Sequence, residues 1–213
     1  MLGRTHDLAA ITALGLIVLS QPPRTVTLAT AIIAVFANLV GGIAPDADQP
    51  TAPFWRNLPV GKYFGKVFGT LNGGHRFLTH SLIGLGLFGF GFHWLLVFLH
   101  PVLGSVDRDL VWWAFMIGMA SHLVMDSFTK EGVPWLLPIP IKFGLPPVRK
   151  LRITTGKYIE KLGVFPALLI FNAFWFGGHY QKLLEIVHRQ FVDRCVREGL
   201  IYGVIDGEPP VAL

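Results

Sequence analysis

Cys195 is the only cysteine in the chain, so neither an intrachain disulfide nor a cysteine-built zinc cluster is available, and any metal must be held by His, Asp or Glu. Charge is scarce as well. Asp, Glu, Lys and Arg make up 15% of the 213 residues, against roughly 25% in an ordinary soluble domain. Also missing are a Gly-x-Ser-x-Gly elbow, a Walker A loop, a Rossmann glycine fingerprint and a His-Glu-x-x-His helix. Their absence removes the usual signatures of serine hydrolases, P-loop NTPases, dinucleotide enzymes and zincins. There is no internal repeat and no polar linker between two globular units.

What the chain has in excess is apolar sequence. Hydrophobic residues make up 52% of it and the mean hydropathy is +0.54. Held in long runs, that excess means lipid replaces water over much of the exterior, which excludes a disordered chain and predicts an all-α, polytopic helical membrane protein. Five runs are candidates: 8–19, 25–44, 82–99, 110–125 and 164–176. The first is short and resembles a signal-peptide core without a small-x-small cleavage site. The third contains Gly84, Gly86, Gly89 and Gly91, which predicts close helix packing. About four to five transmembrane helices are therefore expected in a domain over 1–178. An amphipathic helix and a frayed tail follow over 179–213, the helix carrying Leu183, Leu184, Val187, Phe191 and Cys195 on one side.

If the five runs alternate across the bilayer, twelve of the eighteen Lys and Arg fall on the face that holds the N-terminus and the loops 45–81 and 126–163. The positive-inside rule puts that face in the cytoplasm and accounts for the net charge of +5 without a nucleic-acid partner.

The same face collects every cluster of potential metal ligands: His6; Asp46 and Asp48 after Pro45; His75 and His80; and His122 with Asp126. His122 and Asp126 are four apart, so on a helix they project from one side; a hydrogen-bonded pair is the ordinary outcome, but ionisable residues at the end of a membrane helix are functional by default. Asp46 and Asp48 follow a helix-stopping proline, either as a solvated turn or as carboxylates dividing into ligand and base. His75 and His80 sit behind Gly73 and Gly74. Between them, Arg76 can grip a phosphate or carboxylate, or pair with Asp46 or Asp48. Thr79 and Ser81 either orient ligands or cap the third helix. His93, His100, His179 and His188 are assigned packing or interfacial roles, and Asn38 and Asn172 are expected to hydrogen-bond between helices. The segment 138–156 is expected to form a small hairpin over the site.

Thr5-His6, Pro45-Asp46-x-Asp48, His75-Arg76-x-x-Thr79-His80-Ser81, His122-x-x-x-Asp126-x-x-Thr129 and Gly132-Val133-Pro134-Trp135 with Pro138 together resemble the YdjM-like family of membrane-bound, metal-dependent hydrolases, also known as LexA-regulated inner-membrane proteins. The likeness runs over about 1–178 and is most specific in the His-Arg-x-x-Thr-His-Ser block. It implies a multi-pass inner-membrane hydrolase. A distant similarity of that family to zinc-dependent phospholipases C implies phosphoester substrates, a step that rests on fold-level analogy.

The expected function is therefore hydrolysis by a metal-activated water on a lipid or lipid-linked phosphoester. His6, Asp46, Asp48, His75, His80, His122 and Asp126 surround one or two divalent ions, with zinc the expected metal. Asp46 or Asp48 is the candidate base and Arg76 the stabiliser of developing charge. Two other readings remain open: a zinc-dependent lipid amidase like the intramembrane ceramidases, and a metal transporter or sensor without hydrolase activity. The oligomeric state has no sequence signal.

Overall fold

The computed structural model describes residues 1–21, 26–49, 78–139 and 141–185. All its regular elements are helical: α1 (Gly3–Ser20), α2 (Leu28–Ile43), α3 (Leu82–Phe98), a single turn α4 (His100–Leu103), α5 (Arg108–Ser127) and α6 (Phe165–Gly178). A 3-10 turn, Ala44–Asp48, continues α2, and a π-helical turn, Ile159–Val164, leads into α6. Each of the five apolar runs therefore contains a helix, with ends set by local chemistry. The Thr27, Ser81 and Asp107 side chains accept from the backbone N–H groups of Thr30, Gly84 and Leu110, satisfying donors that helix starts leave open. Helix continues over 180–185, and the remainder of the expected amphipathic helix, with Val187, His188, Phe191 and Cys195, lies outside the described residues.

Among the described residues, three helices are long and apolar enough to cross a membrane: Leu28–Asp48, Arg108–Ser127 and Ile159–Gly178. The apolar α3 has 17 residues, about 26 Å of helix against a hydrocarbon core of about 30 Å. α1 carries Arg4, His6 and Asp7 in its first turns and falls outside that set. Large apolar side chains face outward from these helices, with Phe36 67% and Phe174 78% exposed, as a lipid solvent requires and water would penalise.

The bundle is built around α5, which packs on α1, α2 and α3, while α6 packs on α1. The core combines the small side chains Ala34, Ala37 and Ala114 with Leu96, Val106, Val111, Phe115 and Met119. Without a hydrophobic drive between helices in lipid, close backbone approach and interhelical hydrogen bonds hold such a bundle together. Gly41 of α2 lies against the Phe115 carbonyl, and Gly118 of α5 against the Asn38 carbonyl, so closely that a Cβ at either position would overlap backbone. Asn38 donates to Ala114 O at 2.9 Å and Asn172 to Thr12 Oγ1 at 2.6 Å, the interhelical role expected of both. Of the α3 glycines, Gly84 and Gly89 are in close contact, whereas Gly86 and Gly91 face open space.

The segment after α5 forms no strand ladder among the described residues, contrary to the expected hairpin. It makes two single bridges, Val133 to Phe143 and Thr129 to Ile153. Pro138, Pro146 and Pro147 supply no amide for a ladder. Arg152 instead donates to the carbonyls of Pro146 and Pro147. The segment is anchored on α5 and α3 through Leu145 N to Ser127 O, Trp135 Nε1 to Ser127 Oγ and Leu82 N to Trp135 O.

Candidate metal centre

Four separate stretches of chain meet at one end of the bundle. α5 contributes His122 and Asp126, one turn apart near its C-terminus. The 3-10 turn at the end of α2, which begins as Pro45 interrupts the α-helix, carries Asp46 and Asp48. His80 directly precedes the cap of α3, and His6 lies in the first turns of α1. Residues separated by up to 120 positions thus share one site because α1 and α2 both pack on α5.

The donor atoms converge. His122 Nε2 is 3.6 Å from Asp46 Oδ1 and 3.8 Å from Asp126 Oδ2. His80 Nε2 is 3.7 Å from each of the same two oxygens. His6 Nε2 is 3.3 Å from Asp126 Oδ1, and its ring stacks on His122 at 3.7 Å between centroids. The Met1 amino group also contacts Asp126 Oδ1, at 2.5 Å. Ligands held about 2.0–2.1 Å from a tetrahedral zinc stand about 3.3 Å from one another. The observed separations fit that spacing to within a few tenths of an ångström. Two groups, His6 with His122 and Asp126, and Asp46 with His80 and His122, are each close enough to hold a metal ion, and they share His122.

Neighbouring groups aim the imidazoles. His122 Nδ1 lies 2.6 Å from the Gly42 carbonyl, which can only accept, so Nδ1 carries the proton and Nε2 presents a lone pair to the cluster. That Nε2 is buried with no hydrogen-bond partner among the described residues, and so is His6 Nδ1. A buried ring nitrogen left so is costly unless something fills the space before it. Thr79 Oγ1 donates to Asp48 Oδ2 at 2.6 Å, which leaves its lone pairs to accept from His80 Nδ1 at 3.0 Å. His80 Nε2 is thereby also turned toward the carboxylates. Burial, partly offset by the carboxylate of Asp126, pushes His80 below the usual imidazole range and keeps it neutral, the form a metal ligand needs.

Of the seven sequence-predicted ligands, the structure brings together His6, Asp46, His80, His122 and Asp126. It sets Asp48 one position back, behind Thr79. His75 and Arg76, with Gly73 and Gly74, lie outside the described residues. The Asp46 side chain is 24% exposed while those of His6, His80, His122, Asp48 and Asp126 are at most 1% exposed, so the cluster opens past Asp46. Ser81 takes the capping role.

Two participants escaped the sequence reading. The Gly42 carbonyl has no side-chain signal at all. Glu160, fully buried, accepts from Leu2 N at 2.6 Å and from Gly156 N at 2.6 Å, tying the segment before His6 to the start of the last helix. The signal for it in the sequence is a glutamate four residues ahead of the apolar run 164–176.

A Bacillus subtilis (strain 168) protein named "Uncharacterized protein YvsG" is 30% identical over 146 residues, 68% of this chain and 79% of that protein. No solved structure matches the chain. The family described as YdjM inner membrane protein matches residues 1–189, which takes in every residue of the cluster and continues past residue 178, where the sequence resemblance was expected to end. The chain belongs to the YdjM inner membrane protein family.

Proposed function

We propose that the protein is a membrane-bound, metal-dependent hydrolase whose domain over 1–178 cleaves a lipid or lipid-linked phosphoester on the cytoplasmic face of the inner membrane. The observation that carries this reading is the oriented, buried His122 Nε2 facing carboxylate oxygens of Asp46 and Asp126, with His80 Nε2 opposite the same two oxygens. His6, Asp46, His80, His122 and Asp126 would hold one or two divalent ions, and imidazole with carboxylate suits zinc. Such an ion supplies Lewis acidity, bringing the pKa of a coordinated water toward neutrality.

The chain's own groups do the rest. Asp46, the one cluster member open to the outside, is placed to accept the proton of the attacking water. Asp48 acts through Thr79 to hold the His80 ring, a positioning role. Arg76 is assigned to the charge that develops on the phosphoester, and His75 completes the ligand set. The position of the cluster at the ends of α2 and α5 supports hydrolysis over transport, since transporters place ion sites near the midplane.

Elemental analysis of detergent-purified protein tests the metal, comparing wild type with the His80→Ala, His122→Ala double variant. About one or two zinc ions per chain, lost in the variant, are expected. A panel of lipid phosphoesters and lipid amides then tests the bond cleaved. Amide products would move the assignment to a ceramidase-like amidase. No retained ion, after zinc is resupplied, would refute the metal centre.

A further inference from the structure

α3 exposes a stripe that the described residues do not fill. A groove of about 390 Å3 runs along it beside Phe115 of α5, lined by Gly84, Leu87, Gly91 and Leu95, and it begins at Thr79. These α3 positions recur every three to four residues, so they form one continuous face of the helix. From Gly84 to Leu95 the groove extends about 16 Å, close to the depth of one leaflet of a hydrocarbon core about 30 Å thick. Among the described residues Thr79 supplies the one polar side chain in its lining, and its hydroxyl is bonded to Asp48 and His80. An amphiphile lying tail-down in the groove therefore has its head beside Thr79, the residue next to His80 of the cluster.

We infer that this groove binds one acyl chain of a membrane lipid and so presents that lipid's phosphoester head to the cluster. The inference rests on the hydrolase reading for the role of the head, and it adds where the chain sits and which residues select it. Gly91 is what keeps the groove open: a Cβ there meets nothing within 4 Å, so the space beside it belongs to neither helix. Gly86 has the same open surroundings on the same helix but does not line the groove.

The test uses full-length protein in vesicles of phosphatidylglycerol doped with phosphatidylglycerol that carries a diazirine midway along one acyl chain. After illumination, labelled residues are mapped by mass spectrometry. Wild type should be labelled preferentially between Leu87 and Leu95 and on Phe115. Gly91→Leu, which puts a side chain into the groove, should reduce that labelling about fivefold or more by a clash built against the acyl chain. Gly86→Leu should leave it unchanged, and equal unfolding midpoints in detergent show that both variants are folded. Equal labelling in Gly91→Leu and wild type would overturn the inference. Labelling spread evenly around α3 would overturn it too, as would protein–protein crosslinks at Leu87 and Leu95 in place of lipid, which would give the groove to a second copy. Labelling requires no turnover, so a protein that captures the chain but cleaves nothing would refute the hydrolase reading and leave the groove assignment standing.

Discussion

Gly118→Ala is a one-carbon change that should damage two properties at once. A Cβ at this position lands on the Asn38 carbonyl oxygen, 2.9 Å from Gly42 N and 3.0 Å from Asn38 C. These are backbone atoms of α2, which no side-chain rotation can move aside. The helices must part, and two buried hydrogen bonds span the same gap: Asn38 Nδ2 to Ala114 O and His122 Nδ1 to Gly42 O. Overpacking costs about 1–3 kcal/mol, and stretching the two bonds adds about 1–2 kcal/mol. Better helix propensity returns up to about 1 kcal/mol. A net loss of about 2–3 kcal/mol is expected. Because His122 lies one turn beyond residue 118 and is aimed by Gly42, divalent-ion affinity should also fall about 10- to 100-fold. Unfolding by SDS titration in mixed micelles reads the first effect, and competition with a chromophoric chelator reads the second. The paired control is Gly86→Ala, whose Cβ meets nothing within 4 Å and which should unfold like wild type or slightly later. A Gly118→Ala protein with wild-type unfolding and wild-type ion affinity would refute both the backbone contact and the link from that contact to His122.

Three further outcomes are expected. Thr79→Val removes the hydroxyl between Asp48 and His80 and should lower ion affinity about 10- to 100-fold, read by the same competition titration. Acid should loosen the ion-free protein: His80 is held below its ordinary 6.5 by burial, so the unfolded chain takes up its proton first. The His80 contribution to stability is therefore fully present above pH 6.5 and is lost as pH falls below it toward the folded value, which unfolding midpoints measured from pH 8 to pH 5 will show. Glu160→Gln turns an amide NH2 toward a backbone donor, Leu2 N or Gly156 N, and should free the segment before His6 at about 1–3 kcal/mol. Faster amide exchange over residues 2–6, with α5 unchanged, is the signature.

Much of this was legible in the chain because it depends on local pattern. Long apolar runs mark helices wherever they occur, Pro45 stops one and Ser81 is a cap candidate for another, and the four-residue spacing of His122 and Asp126 puts both on one face before any packing is known. That the clusters fall at one end of the bundle follows from alternation of the runs. Differences arose where a neighbour decides. The prolines between residues 138 and 147 overrode a hairpin pattern, and only two of the four α3 glycines are contact points, since the Leu78 carbonyl lies against Gly84 and the Met116 side chain against Gly89 while nothing lies within 4 Å of a Cβ at Gly86 or Gly91.

The sequence by itself determined that this is a helical membrane protein with His and Asp gathered on one face, since hydropathy and spacing are properties of short stretches. Tertiary structure alone decided the roles within that set. Asp46 and Asp48 are two residues apart and chemically identical, yet one opens the cluster to the outside and the other is buried behind Thr79. The physical reason is that the tautomer and aim of His122 and His80 depend on oxygens brought from another stretch of chain, Gly42 O directly for His122 and Asp48 Oδ2, acting through the neighbouring Thr79 hydroxyl, for His80. Gly42 O reaches His122 only when α2 closes on α5, through glycines that carry no chemistry of their own, and the turn that continues α2 carries Asp48 to Thr79.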